Sequence, residues 1–207
     1  MHQTRAQTTK KMPIPRKGTK YVARALSHRT NSIPVVIAVR DMLKFARTSK
    51  EVKEMVKQKL LKINGRDVQD IKESIKLLNI FQAGKSYILT LTKTGKFSLE
   101  ETRLKDRICR IINKKMLSKG KVQLNLHDGS NIISNEKVTV GDTLYLNLQN
   151  KIIKHVPLEK SKECIIPSGK YIGHKGKIDS IKDKIVILKL NEKEDKIEID
   201  KSKVIVI

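Results

Sequence analysis

Residues 33–70, IPVVIAVRDMLKFARTSKEVKEMVKQKLLKINGRDVQD, constrain the fold more than any other stretch. On a helix, Val35, Val39, Met42, Leu43 and Ala46 share one face. Val36, Arg40, Lys44 and Arg47 share the face beside it, which is mostly basic. Thr48 and Glu51 then read as a capping box, with Thr at the N-cap and Glu at N3. The helix that follows turns Val52, Met55, Val56 and Leu60 inward and carries Lys50, Lys53 and Lys57 as a second basic stripe. Asn64-Gly65, between Leu61, Ile63 and Val68, is a strong short-range hairpin signature. Two short helices therefore feed a hairpin, and one side of the pair is cationic. A charged stripe is often no more than the wet side of a helix. Here few acids compensate, and two consecutive helices carry stripes, so phosphate binding is the expected role.

The whole chain shares that bias. Its 207 residues hold 45 Lys and Arg against 21 Asp and Glu, a net charge of +24. Charge of this size repels itself and points to a polyanionic partner, nucleic acid first. Aromatics make up 3% and Trp is absent, which argues against binding built on rows of stacked bases. Phosphate backbone and duplex shape are the expected targets.

Residues 1–32 carry Arg5, Lys10, Lys11, Arg16, Lys17, Lys20, Arg24 and Arg29 and no acid. Pro13, Pro15 and Gly18 interrupt regular structure, and the apolar content is low. This arm is expected to be disordered alone and to fold onto RNA. Tyr21, Val22 and Leu26 could anchor its end. Ile71 to Phe81 fits helix or strand, and Lys85 to Leu99 reads as a hairpin turning at Thr94-Gly95. A second basic cluster follows: Arg103, Lys105, Arg107, Arg110, Lys114, Lys115, Lys119 and Lys121, with Asp106 the only acid and Cys109, Ile111 and Met116 facing inward. Alternating runs around Leu124, Leu146 and Ile152, with turns at His127-Asp128-Gly129, Gly141-Asp142 and Asn150, predict a small barrel or curled sheet.

The last unit, CIIPSGKYIGHKGKIDSIKDKIVIL, is punctuated by Gly169, Gly173 and Gly176. A dinucleotide fingerprint needs G-x-G-x-x-G opening a helix. This spacing differs and β-branched residues follow it, so a strand–loop–strand with positive-φ glycines is expected, including a left-handed Gly176 at a sharp turn. Ile178, Ile185 and Ile187 are its expected core partners. From Lys182 onward charge nearly balances, so this end is expected to lie off the polyanion.

Nothing assembles an active site. The five His are scattered, no Cys or His stands at metal-ligand spacing, and no Walker, G-x-S-x-G or kinase pattern occurs. No cofactor and no small-molecule substrate are expected. Cys109 and Cys164 are isolated and read as reduced core thiols. The apolar run Ile33 to Val39 is far too short to span a bilayer, and no apolar signal core follows the N-terminal charges. No membrane partner is expected.

Three segments together, IPVVIAVRDMLKFARTSKEVK, KINGRDVQD and IIPSGKYIGHKGKI, resemble the archaeal and eukaryotic small-subunit ribosomal protein S-four-e family. The glycine unit matches its KOW-type motif. The resemblance covers residues 10–207 and implies an α+β, multi-lobed fold. A basic arm (1–32) would precede an S-four-like RNA-binding module of two helices plus hairpin (33–84). A central small β domain (85–158) and a C-terminal SH3-like KOW barrel (159–207) would follow. It also implies a cytoplasmic, ribosome-bound protein without catalysis, whose partners are small-subunit ribosomal RNA and neighbouring ribosomal proteins. The expected RNA contacts are the arm residues above, Arg40, Lys44, Arg47, Lys50, Lys53, Lys57, Arg66, Arg103, Lys105, Arg107, Arg110, Lys114 and Lys115. Gly65, Gly169, Gly173 and Gly176 are structural loop positions. Two other readings compete. A KOW-containing transcription or translation factor would co-sediment substoichiometrically with small subunits. An RNA-modifying enzyme using an S-four-like clamp would need a catalytic domain that no segment has room for, so that reading reduces to a non-catalytic remnant of such an enzyme.

Overall fold

The apolar run from Ile33 to Val39 is buried on every side, and this shapes the first half of the molecule. The computed structural model describes residues 3–104, 106–190 and 196–207. They fall into two units, Met1–Lys105 and Asp106–Ile207. In the first, β1 (Gln3–Thr4) pairs with β2 (Tyr21–Val22), and β3 (Ser32–Pro34) leads into α1 (Val35–Ile37). The helix widens into a π turn, Ala38–Met42, closed by the Leu43 N–H donating to the Ala38 carbonyl at 2.9 Å. Helical periodicity places Val36 beside the basic residues, yet Val36 is 2% exposed. The reason is local: Val35 and Val36 donate backbone hydrogen bonds to Glu73 and Ile71, so the returning chain covers that side. Lys44, at φ +58°, then ends the helix short of Ala46.

The cap on α2 (Ser49–Lys57) forms as the sequence predicts, with one difference. Thr48 Oγ1 accepts from the Glu51 N–H at 3.3 Å and donates to Glu51 Oε1 at 2.9 Å. The other carboxylate oxygen reaches past the cap to accept from the Arg47 N–H at 2.8 Å. Val52 is buried, but Lys59 at φ +55° turns Leu60 outward instead of into the core. Next, β4 (Leu61–Ile63) and β5 (Arg66–Asp67) are joined by Asn64-Gly65 with φ of +50° and +80°, the hairpin conformation for which Asn-Gly is suited. Residues 71–81 resolve as strand and turn, in β6 (Ser74–Lys76) and β7 (Ile80–Ala83). With β8 (Lys85–Leu91) and β9 (Phe97–Glu101) the sheet order is β5-β4-β7-β8-β9. The boundary expected between 84 and 85 therefore cuts a continuous sheet; β7 and β8 are antiparallel neighbours across Gly84.

Residues 3–32 of the arm pack against their unit. Met12 and Ala25 are buried, the Phe97 N–H donates to the Lys11 carbonyl at 2.8 Å, and the Leu26 N–H donates to the Lys72 carbonyl at 3.0 Å. Two side chains thus bury apolar surface that composition alone understates.

The second unit holds two antiparallel sheets. One comprises β10 (Arg107–Met116), β11 (Val122–Leu126), β12 (Asn131–Ser134), β13 (Thr143–Leu146) and β14 (Ile152–Val156), in the order β12-β11-β10-β13-β14. The other comprises β15 (Glu163–Ile165), β16 (Lys175–Lys182), β17 (Ile185–Leu190), β18 (Lys196–Asp200) and β19 (Ile205–Val206), in the order β18-β17-β16-β15-β19. Cys109, Ile111, Leu124, Leu144 and Leu146 fill the first core. Cys164, Ile178, Val186, Leu188 and Val206 fill the second. Both thiols are free and buried. Met116, expected inside, is 69% exposed at the end of β10. In β17, Val186 and Leu188 point inward, so Ile185 lies outside; the strand is one residue out of the expected phase. Strands dominate both units, with α1 and α2 in the first, and the fold is α+β.

Arg107 is the inward charge of the first sheet. Its Nη1 donates to Asp128 Oδ2 at 2.6 Å, and its Nη2 donates to Asn150 Oδ1 at 2.6 Å and to Ser130 Oγ at 3.3 Å. Both side chains of the ion pair are nearly solvent-free, at 6% and 3% exposure. One guanidinium thus pins the β11–β12 and β13–β14 turns to β10. Burial pushes the Asp128 carboxyl up, but hydrogen bonds from Ser130 and the charge of Arg107 pull it below the ordinary range. A carboxyl held low adds stability above its unfolded pKa of about 3.9 and loses it as pH falls through the folded value. Urea unfolding should therefore show stability declining below about pH 4. Asp128→Asn should cost about 3–5 kcal/mol at neutral pH, because Arg107 is left buried and unpaired. It should also flatten the acid limb. A variant as stable as wild type would refute the pinning role.

Gly176 has no positive φ; it lies within β16, paired with Leu190 of β17. Its requirement is space. A Cβ there would sit 2.6 Å from the Lys189 carbonyl oxygen and 3.4 Å from Leu190 Cα, both backbone atoms that cannot step aside singly. Gly169 and Gly173 do have positive φ, +99° and +78°. Gly176→Ala should cost about 1–3 kcal/mol through overpacking, and Gly176→Val more. Thermal unfolding measures this, and an alanine variant melting with wild type would show that the strands part freely.

Candidate nucleic-acid interface

Repeats of three and four along α2 place Lys50, Lys53 and Lys57 on adjoining turns of one side, and all three are exposed. Arg47 lies just before the cap and is exposed too. Acids on this element are engaged. Glu51 is held by the Arg47 N–H and the Thr48 hydroxyl, which keep its carboxyl below the usual range. Glu54 lies 3.6 Å from Lys57 in an exposed pair, a geometry that contributes little. Lys44, Arg47, Lys50 and Lys53 make no ion pair among the described residues. What remains is a run of outward cations on a capped, rigid element, able to meet several phosphates at once.

The basic face expected to run on from α1 does not form. Val36 is buried, Lys44 stands beyond the helix end, and Arg40 is half-buried with its guanidinium on Asp41 through bonds of 2.9 and 2.8 Å. The Asp41 hydrogen bond raises the pKa of Arg40 against the effect of burial. Arg66 is exposed but pairs with Glu73.

Within the arm, Arg5 works on its own loop. Its Nε donates to the Thr19 carbonyl at 2.9 Å, its Nη2 to Thr19 Oγ1 at 3.1 Å, and its Nη1 to the Pro15 carbonyl. Lys11 donates to Asn31 Oδ1 at 2.8 Å, and its partial burial lowers its pKa. Lys10, Arg16, Lys17, Lys20 and Arg29 are exposed, and Arg24 is half-buried.

The second cluster separates into two kinds of residue. Arg107 and Arg110 are buried, with their guanidinium groups on partners within the unit. Arg110 donates to the Lys201 carbonyl at 3.2 Å and to the Ser202 carbonyl, and burial lowers its pKa. Strand alternation around Cys109 gives no hint of this, since an inward arginine and an outward one look alike until their partners, distant in sequence, are known. Arg103, Lys114 and Lys115 are exposed, with Lys114 Nζ also donating to the Val138 carbonyl at 3.2 Å. Lys105 lies outside the described residues. Phe45, which the sequence reading left without a role, is 49% exposed next to Lys44. Among the described residues no group of His, Cys, Asp and Glu could hold a metal, and no helix is long and apolar enough to cross a membrane.

A family model described as Ribosomal family S4e matches residues 83–153. Small ribosomal subunit protein eS4 of Methanospirillum hungatei is 31% identical over 189 residues, covering 86% of this chain and 78% of that protein. The Methanocaldococcus jannaschii protein of the same name is 31% identical over 197 residues, covering 87% and 81%. Among solved structures, the 30S ribosomal protein S4e from Thermoplasma acidophilum matches with a TM-score of 0.73 at 22% identity, over 86% of this chain and 95% of that one, and shows the same fold. On the strength of the sequence relatives, the chain belongs to the small ribosomal subunit protein eS4 family, whose members are structural ribosomal proteins and not enzymes.

Proposed function

We propose that this protein is a structural constituent of the small ribosomal subunit that binds ribosomal RNA through the outward face of α2, the loop before it and the exposed cations of the arm. The observation that carries the reading is the run of exposed cations Lys44, Arg47, Lys50 and Lys53, none in an ion pair among the described residues, on and beside a helix whose Glu51 is held in its own cap. Each phosphate neutralised releases condensed counterions, so the contact is strong at low salt without base recognition. Lys10, Arg16, Lys17, Lys20 and Arg29 extend the same chemistry in the first unit. Arg103, Lys114 and Lys115 do so further along the chain. The C-terminal sheet, with its glycine loop, is read as the SH3-like KOW barrel. Neighbouring ribosomal proteins complete the set of partners, in the cytoplasm.

Two measurements test this. In a sedimented lysate the protein should travel with small subunits at one copy each; a substoichiometric share would favour a KOW-containing factor. Replacing Arg47, Lys50 and Lys53 with Gln should flatten the plot of log affinity for ribosomal RNA against log salt by about two to three units. An unchanged slope would remove α2 from the interface.

A further inference from the structure

Of the three phenylalanines, Phe81 and Phe97 are buried and Phe45 is left half in solvent. It is not a loose side chain. Its N–H donates to the Val39 carbonyl at 3.0 Å, and the preceding Lys44 takes a left-handed φ of +58° to deliver it there. Behind the ring stands the buried Tyr87, with centroids 6.3 Å apart and planes tilted by 59°. A tilted aromatic contact of this kind supports one part of the ring without enclosing it.

Three other rings each have a lysine ammonium near one face. Lys20 lies 5.5 Å from the centroid of Tyr21, Lys154 lies 5.5 Å from that of Tyr145, and Lys170 lies 5.6 Å from that of Tyr171. Among the described residues no lysine lies over Phe45. Its surroundings are cationic all the same, with Lys44 and Arg47 exposed on either side of it in the chain. Acids close to it in the chain, and the one paired with Tyr87, have partners of their own: Asp41 bonds Arg40, Glu51 is held in the helix cap, and Glu101, the cross-strand partner of Tyr87, lies 3.0 Å from Lys85.

We propose that Phe45 is a stacking site for one unpaired base of an RNA whose phosphates are held by Lys44, Arg47 and Lys50. The proposal rests on the RNA-binding reading of this surface. Scarcity of aromatics excludes a row of stacked bases but not a single one. Stacking is tolerant of base identity, since every base has a π-face, so the site would select for an unpaired nucleotide and not for a sequence.

The chain has no tryptophan, so Phe45→Trp introduces a unique fluorophore. Its emission should be quenched by a single-stranded oligoadenylate and unaffected by double-stranded RNA of equal charge. Phe45→Leu should bind the oligoadenylate about tenfold more weakly with an unchanged salt slope, whereas Phe45→Tyr should bind as wild type does. If Phe45→Leu proves unstable, the quenching and the Tyr variant still decide. Absence of quenching together with wild-type affinity for Phe45→Leu would overturn the stacking site. So would a defect confined to incorporation into small subunits, which would make Phe45 a protein contact. If the Arg47, Lys50 and Lys53 replacements alter the salt slope while the Phe45 variants change nothing, only the stacking site fails; if neither set alters binding, the RNA-binding reading of this surface fails first.

Discussion

Electrostatic imbalance is the constraint under which the rest of this fold operates: 21 acids stand against 45 cations. Several of the acids sit at positions of structural consequence. Asp128 neutralises a buried guanidinium. Asp142 accepts from the Thr139 and Leu158 N–H groups and bonds His155 at 2.8 Å. Glu51 completes the cap of α2, and Asp200 accepts from the Ser202 N–H. Acids used in this way do little to screen the lysines outside. Internal stability and an outward cationic field therefore come from the same distribution of charge, and an anionic partner relieves repulsion that the fold itself leaves in place.

Five of the arginines work inside the fold. Arg5, Arg40, Arg66, Arg107 and Arg110 all direct their guanidinium groups at partners within their own unit. Lys50 and Lys53 on α2 extend into solvent without ion pairs. A planar fork with several donors can serve two or three acceptors in fixed directions, as Arg107 does with Asp128, Ser130 and Asn150. An ammonium on a flexible stem is a point charge, well suited to a phosphate backbone whose geometry is read only coarsely. Treating every cation of the second cluster as a phosphate ligand overlooks this difference.

Backbone geometry decides what the loop before α2 presents. The π turn ends at Met42, three residues before Phe45, and the left-handed Lys44 redirects the chain between them. A regular helix continued through Ala46 would carry Phe45 on a different azimuth. Departures of this kind from ideal geometry often accompany functional positions, and here one coincides with the only exposed phenylalanine.

Local devices were legible in the sequence. The Thr48 cap, the Asn64-Gly65 hairpin and the Thr94-Gly95 turn all depend on hydrogen bonds or φ values within a few residues, and they form where the residue types place them. Net charge alone pointed to a polyanionic partner, and three short segments resembled the right family. Tertiary structure decided everything that rests on pairing across distance. Arg107 is internal because Asp128 and Asn150 come to it from two other turns. Gly176 is needed because Lys189 of the next strand passes too close for a Cβ, not because its own φ demands glycine. Val36 leaves the basic face because the chain near Ile71 returns over it, and the arm is tied at Lys11 and Leu26 because Phe97 and Lys72 offer backbone partners there. Periodicity reports which residues share a side of one element. What covers that side is set by register between elements, and register is a property of the assembled chain.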